Sequence, residues 1–268
     1  MRIFPIYYLL IFTLLFFHKW TGTNIKEAFV YFATYTSNFY FDMIKGWDGI
    51  ISHLWSLAVE EQFYFVWPWV ILFTNKKFLP HIIIAFIAMG VVSGFFFNRL
   101  VTITSFDAFG LGALLAWQKC YQPALSKKFK TWIAYLALGA LILLVVGMVN
   151  GKWVYLRLRT IDSLLAIYII NYIINNFGSP KLKFKFLLNN RFLIFIGKMS
   201  YGVYLYHTII PRLTTNYLNN HVLFFVSNGS LKFGLHFTIN FIVLLVISWF
   251  SFIFIERKFL LLKEKFKY

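Results

Sequence analysis

Cysteine is almost absent from this 268-residue chain: Cys120 stands alone, so no intramolecular disulfide can form. Charge is scarce as well. Charged residues make up 13% of the sequence, where an ordinary soluble domain carries about 25%. A water-facing surface cannot be covered with so few, which excludes a soluble enzyme of this length. Acidic residues are scarcer still, 9 against 26 Lys and Arg. The six histidines, His18, His53, His81, His207, His221 and His236, form no i, i+4 pair and have no cysteine set nearby, so no metal is expected. Ser56 and Ser200 lack flanking elbow glycines, which leaves a serine triad unsupported. No repeat or low-complexity linker interrupts the chain. Met1 to Phe17 has no small-residue cleavage site, so no cleaved leader is expected.

What remains is apolar: 60% hydrophobic residues, 22% of the chain aromatic. That composition predicts an all-α integral membrane protein, one transmembrane domain over residues 1–268. At about 20 residues per span, the apolar runs give a bundle of about eight helices. They are Pro5–Phe17, Leu54–Thr74, Phe78–Phe97, Ser105–Trp117, Trp132–Val149, Ile161–Phe177, Phe192–Pro211 and Leu235–Ile255. Thr21–Ser52 reads as a polar and aromatic loop with room for an interfacial helix. The net charge of +17 would suggest nucleic acid in a soluble protein. Here it reads as loop lysines and arginines that set orientation. Of the 26, 17 fall on one side of the spans, including Arg2, Lys181, Lys183 and Lys267. Lys152 and Arg157 fall on the other. The richer side is cytoplasmic, and so are both termini.

Candidate chemistry begins at His53–Trp69, HLWSLAVEEQFYFVWPW. Two adjacent carboxylates in an apolar run each cost roughly 2.5–3.5 kcal/mol at mid-helix. Ser56, Glu60, Phe63 and Trp67 share one helical stripe, whereas Glu61 points about 100° away beside Leu57 and Tyr64. The two glutamates therefore cannot do the same job. One reading has a glutamate orient a base or bind a sugar hydroxyl. The plainer reading leaves both at the interface, solvated. A second polar stripe, Ser200, Tyr204, His207 and Pro211, recurs on a later helix. His207 is a base, a substrate ligand or a structural hydrogen-bond partner. Asp107 with Gly110 and Gly112 reads as a polar anchor in a close-packing motif. Glu256 beside Arg257 reads as an interfacial pair at a helix end.

Several of these segments carry a resemblance. WSLAVEEQFYFVWP at 55–68 resembles the hallmark of the acyltransferase-3 family, bacterial membrane enzymes that O-acylate carbohydrates. RIFPIYY at 2–8 is similar to the start of that family's third helix. FDAFGLGALLAW at 106–117, GKMSYGVYLYH at 197–207 and IERKFLLLK at 255–263 follow in the family's order. The resemblance implies transfer of an acyl group, commonly acetyl from acetyl-CoA, to a carbohydrate hydroxyl in the bacterial inner membrane. It implies no bound cofactor, and acyl-CoA, a carbohydrate and membrane lipid as partners, with no nucleic acid. Family members normally have ten membrane helices. The arginine, aspartate and histidine of their first two helices have no counterpart here, so the chain looks like helices three to ten. The implied base lies in that missing part. Glu60, Glu61 and His207 are then the catalytic candidates of this chain, and Trp55, Ser56, Tyr64, Asp107, Ser200, Tyr201 and Tyr204 the substrate-binding ones. Two other readings stay open, an inactive fragment and a flippase for a lipid-linked sugar. The flippase predicts two symmetric halves with broken helices.

Overall fold

A computed structural model of the chain describes residues 3–150, 159–177, 179 and 185–265. Arg2, Lys152, Arg157, Lys181, Lys183 and Lys267, used above for orientation, lie outside the described residues. The chain is all-helical, with no strand among the described residues. In order the α-helices are α1 (Ile3–Phe16), α2 (His18–Thr21), α3 (Ile25–Ala33), α4 (Ser37–Ile44), α5 (Leu54–Phe73), α6 (Leu79–Phe96), α7 (Phe106–Tyr121) and α8 (Ser126–Val149). They continue with α9 (Arg159–Asn176), α10 (Lys185–Leu188), α11 (Arg191–Lys198), α12 (Ser200–Tyr206), α13 (Ile209–Tyr217), α14 (Gly229–Ser251) and α15 (Arg257–Glu264). Among the described residues, three helical stretches are long and apolar enough to cross a membrane: Leu79–Phe96, Pro123–Val149 and Gly229–Leu262. Ile3–Phe16 is a shorter apolar helix.

Most boundaries follow local chemistry. Pro80 sits in the first turn of α6, where its missing N–H leaves no bond unmade. Asn190 caps α11 by accepting from the N–H groups of Phe192 and Leu193 at 2.9 and 3.2 Å. Asn228 caps α14 through Leu231 N–H at 3.0 Å. The expected continuous span Phe192–Pro211 is instead three short helices, α11, α12 and the start of α13. Pro211 explains the second interruption, since it has no N–H to offer the carbonyl of residue 207.

The chain divides into two compact units, Met1–Ala58 with Phe184–Tyr268, and Val59–Lys183. In the first, α1 packs on α3 and α12 on α14. Tyr7 and Tyr8 tie α1 down by donating to the carbonyls of Phe32 and Ala33, both at 2.8 Å. Gly202 permits the α12–α14 contact: a Cβ there would lie 3.4 Å from Ser248 Cα. The segment expected to be mainly loop, Thr21–Ser52, holds α3, α4 and a 3₁₀ turn at Gly49–Ile51.

In the second unit, α6 packs on α7, and α9 on both α7 and α8. Leu111, Leu115, Ile133 and Ile167 form its core. An aromatic ladder joins α5, α6 and α7: Phe63 stacks on Phe109 at 4.2 Å, Trp67 meets Phe86 at 5.5 Å, and Phe86 stacks on Phe106 at 4.2 Å. Of the two glycines expected to permit close approach, Gly110 does so, as a Cβ there would lie 2.6 Å from Ile87 Cγ1. Gly112 faces open space. The second close approach belongs to Gly90, where a Cβ would lie 2.9 Å from Asp107 Cα.

Candidate functional site

The first unit gathers a knot of polar side chains at the start of α5, built from His53, Ser56, Tyr204, His207 and Thr208. The Tyr204 hydroxyl donates to the His53 carbonyl at 2.6 Å. It carries a single proton, so Ser56 Oγ, 2.7 Å away, is the donor of the pair and Tyr204 the acceptor. The Thr208 hydroxyl donates to the Ile50 carbonyl at 2.7 Å and lies 2.9 Å from His53 Nδ1. By the same count, His53 Nδ1 carries the proton in that contact. His53 Nε2 is buried and makes no hydrogen bond with the described residues.

The two imidazoles sit edge to face, 4.9 Å between centroids. Burial first, and His207 second, push the His53 pKa down to about 4, against the Leu205 and Ile50 carbonyls. His53 is therefore neutral at physiological pH. His207 is exposed, and its Nδ1 lies 2.7 Å from the Tyr204 carbonyl. A carbonyl only accepts, so Nδ1 bears the hydrogen. In the neutral ring, Nε2 is left with a lone pair.

Of the expected substrate-binding residues, Ser56 and Tyr204 join this knot, and His207 is part of it. Trp55 is half-buried. Tyr201 donates to the Ile3 carbonyl at 3.4 Å, and Ser200 is exposed at the start of α12. His53 and Thr208 were not among the expected site residues. The signal was available for His53, which opens the motif three residues before Ser56.

Glu60, Glu61, Tyr64 and Asp107 belong to the second unit. Glu60 is exposed and Glu61 half-buried, and neither makes a hydrogen bond or ion pair with the described residues. Their different exposure follows the 100° step between them. Tyr64 is exposed. The neighbouring Gln62 accepts a hydrogen bond from Thr102. Asp107 is 2% exposed and accepts from Ala108 N–H at 2.7 Å and from the Thr160 hydroxyl.

Glu256, expected as an interfacial partner of Arg257, is completely buried in the first unit, at the end of the π-helical turn Phe252–Glu256. A Cβ at Gly202 would lie 3.5 Å from its Oε1. Among the described residues, no group of three or more His, Cys, Asp and Glu could hold a metal.

Membrane-length apolar helices in an all-helical chain suggest a membrane protein. The comparisons are more particular. The acyltransferase domain of the acyltransferase-3 family matches residues 1–255, and this chain belongs to that family. Its relatives include the O-acetyltransferase OatA of Staphylococcus aureus strains NCTC 8325 / PS 47, COL and MRSA252. Each is 30% identical over 187 residues, which cover 62% of this chain. The chain spans about 30% of the length of those curated relatives. No solved structure matches it.

Proposed function

We propose that this protein transfers an acetyl group from acetyl-CoA to a hydroxyl of a cell-surface or secreted carbohydrate, within a bacterial inner membrane. The family assignment and the O-acetyltransferase relatives support the reaction type. The observation that carries the site is the His207 imidazole, held by its Nδ1–H on the Tyr204 carbonyl with Nε2 as an acceptor. An attacking sugar oxygen must lose its proton as it bonds to the thioester carbon. The C–S bond then breaks, and coenzyme A leaves as the thiol when its sulfur takes up a proton. By resemblance, a histidine removes the sugar proton. His207 Nε2 accepts a hydrogen bond from the acceptor and aims it. His53, Ser56, Thr208 and Tyr204 hold that imidazole and its helix in register. Glu60 and Glu61 orient the acceptor or the base, one of them more closely than the other. Trp55, Tyr64, Tyr201 and Ser200 offer aromatic faces and a hydroxyl for a sugar ring and the acyl chain.

The test is chemical. Base-labile acetate is measured on surface polysaccharide of cells with and without the gene. Loss of acetate on deletion is expected, and an unchanged acyl content of every surface glycan refutes the enzyme. Glu60→Gln and Glu61→Gln are expected to lower the acetate unequally. Equal and negligible losses would return both to the solvated interface.

A further inference from the structure

The second unit holds a cavity of about 200 Å³ between α6, the loop after it and the start of α9. Its polar lining is Arg99, Thr104, Asp107, Arg159 and Thr160. Gly90 and Gly94 keep the α6 wall open, and no atom outside its own helix lies within 4 Å of where a Cβ at Gly94 would stand. The rim is apolar. Phe95, Phe97 and Leu143 line it and are 69%, 50% and 50% exposed. In a membrane protein such side chains meet acyl chains rather than water.

The charges in this cavity do not cancel. Among the described residues, Asp107 is the one carboxylate in its lining, and Ala108 N–H and Thr160 already donate to it. Arg159 donates to Ser105, and its guanidinium lies within electrostatic range of both Asp107 and Arg99. Two guanidinium groups against one carboxylate leave an excess positive charge in a partly desolvated place. Arg99 is exposed, so its fork can turn to a ligand. An anion of single charge completes such a set, and the apolar rim asks that the anion be attached to hydrocarbon.

We propose that this cavity binds the phosphate of an anionic phospholipid, with Arg99 and Arg159 on the phosphate and the acyl chains along Phe95 and Leu143. Basic pockets between membrane helices are suited to acidic head groups on charge and geometry alone. This binding does not depend on acyl transfer, so either claim can fail without the other.

The experiment uses the full chain purified in detergent. Thermal unfolding is followed as phosphatidylglycerol, phosphatidylcholine, diacylglycerol or inorganic phosphate is added, and bound lipid is counted by native mass spectrometry. Phosphatidylglycerol is expected to protect most, and to bind at least tenfold more tightly than phosphatidylcholine. Arg99→Gln is expected to abolish that preference. Arg159→Lys, which keeps the charge, should retain part of it, which separates loss of binding from loss of fold. Lys127→Gln and Lys128→Gln, at a different basic surface of this unit, should leave it unchanged. Equal binding of the two phospholipids overturns the proposal. So does an Arg99→Gln protein that still prefers phosphatidylglycerol, or an equal loss in the Lys127 and Lys128 variants. Equal protection by inorganic phosphate would assign the cavity to a free anion and overturn the lipid.

Discussion

Two polar clusters in this molecule solve the problem of buried polarity in opposite ways. The knot around His53 is built from neutral groups, each hydroxyl proton assigned to an acceptor, with the imidazole kept uncharged by burial. The cluster around Asp107 is built from full charges, one carboxylate and two guanidinium groups in range of each other. Neutral hydrogen bonds fix geometry and are worth about 1 kcal/mol each. A buried charge contributes little net stability when paired, yet its partner is costly to strand. The first arrangement suits positioning of a substrate. The second suits recognition of a charged ligand.

The largest expected effect falls on the charged cluster. Asp107→Ala removes the acceptor of the Ala108 N–H and of the Thr160 hydroxyl, and should lower stability by about 2–5 kcal/mol in all. Thermal unfolding in detergent checks it, and a loss under about 1 kcal/mol would mean the carboxylate is not the anchor. The next effect is a pH dependence of the neutral knot. Folded His53 takes its proton near pH 4, where an unfolded histidine does so near 6.5. Its contribution is fully present above about 6.5 and is lost as pH falls towards 4, on the order of 3 kcal/mol in all. His53→Gln should flatten stability over that window, and an unflattened profile would show the ring is not held neutral.

Much of this contrast was hidden in the sequence. The apolar runs placed α5, α6 and α9 within about two residues of their ends, whereas α8 starts six residues before the expected Trp132. Ser56, Tyr204 and His207 were legible as polar residues on apolar helices. Their meeting was not, since Ser56 and Tyr204 lie 148 residues apart. Thr160 lies 53 residues from Asp107, so the anchor's partner was equally invisible. Glu256 looked interfacial because Arg257 follows it, and only packing against Gly202 and Ser248 reveals its burial. Gly90 and Gly112 look alike in sequence. Only the crossing of α6 and α7 separates them.

That pair supplies the third comparison. Gly90→Ala drives a methyl into the Asp107 backbone and should cost about 1–3 kcal/mol, while Gly112→Ala should stay within about 0.5 kcal/mol of the parent. Matched melting curves decide it, and equal shifts would remove the close approach as the reason for glycine. A smaller loss than that of Gly90→Ala belongs to Tyr204→Phe. It deletes one donor and leaves Ser56 without its acceptor, a loss of about 1–2 kcal/mol. A tyrosine that serves only packing would show none.

Tyr204→Phe is therefore the variant that separates folding from function. Membranes from cells expressing the protein or this variant at equal levels are given acetyl-CoA labelled in the acetyl group. Base-labile label on envelope carbohydrate is then counted. The expected result is labelled ester with the parent protein and at least a tenfold loss with Tyr204→Phe. Label that is equal in the two, or absent from both, would contradict a carbohydrate O-acetyltransferase organised around the knot at His53.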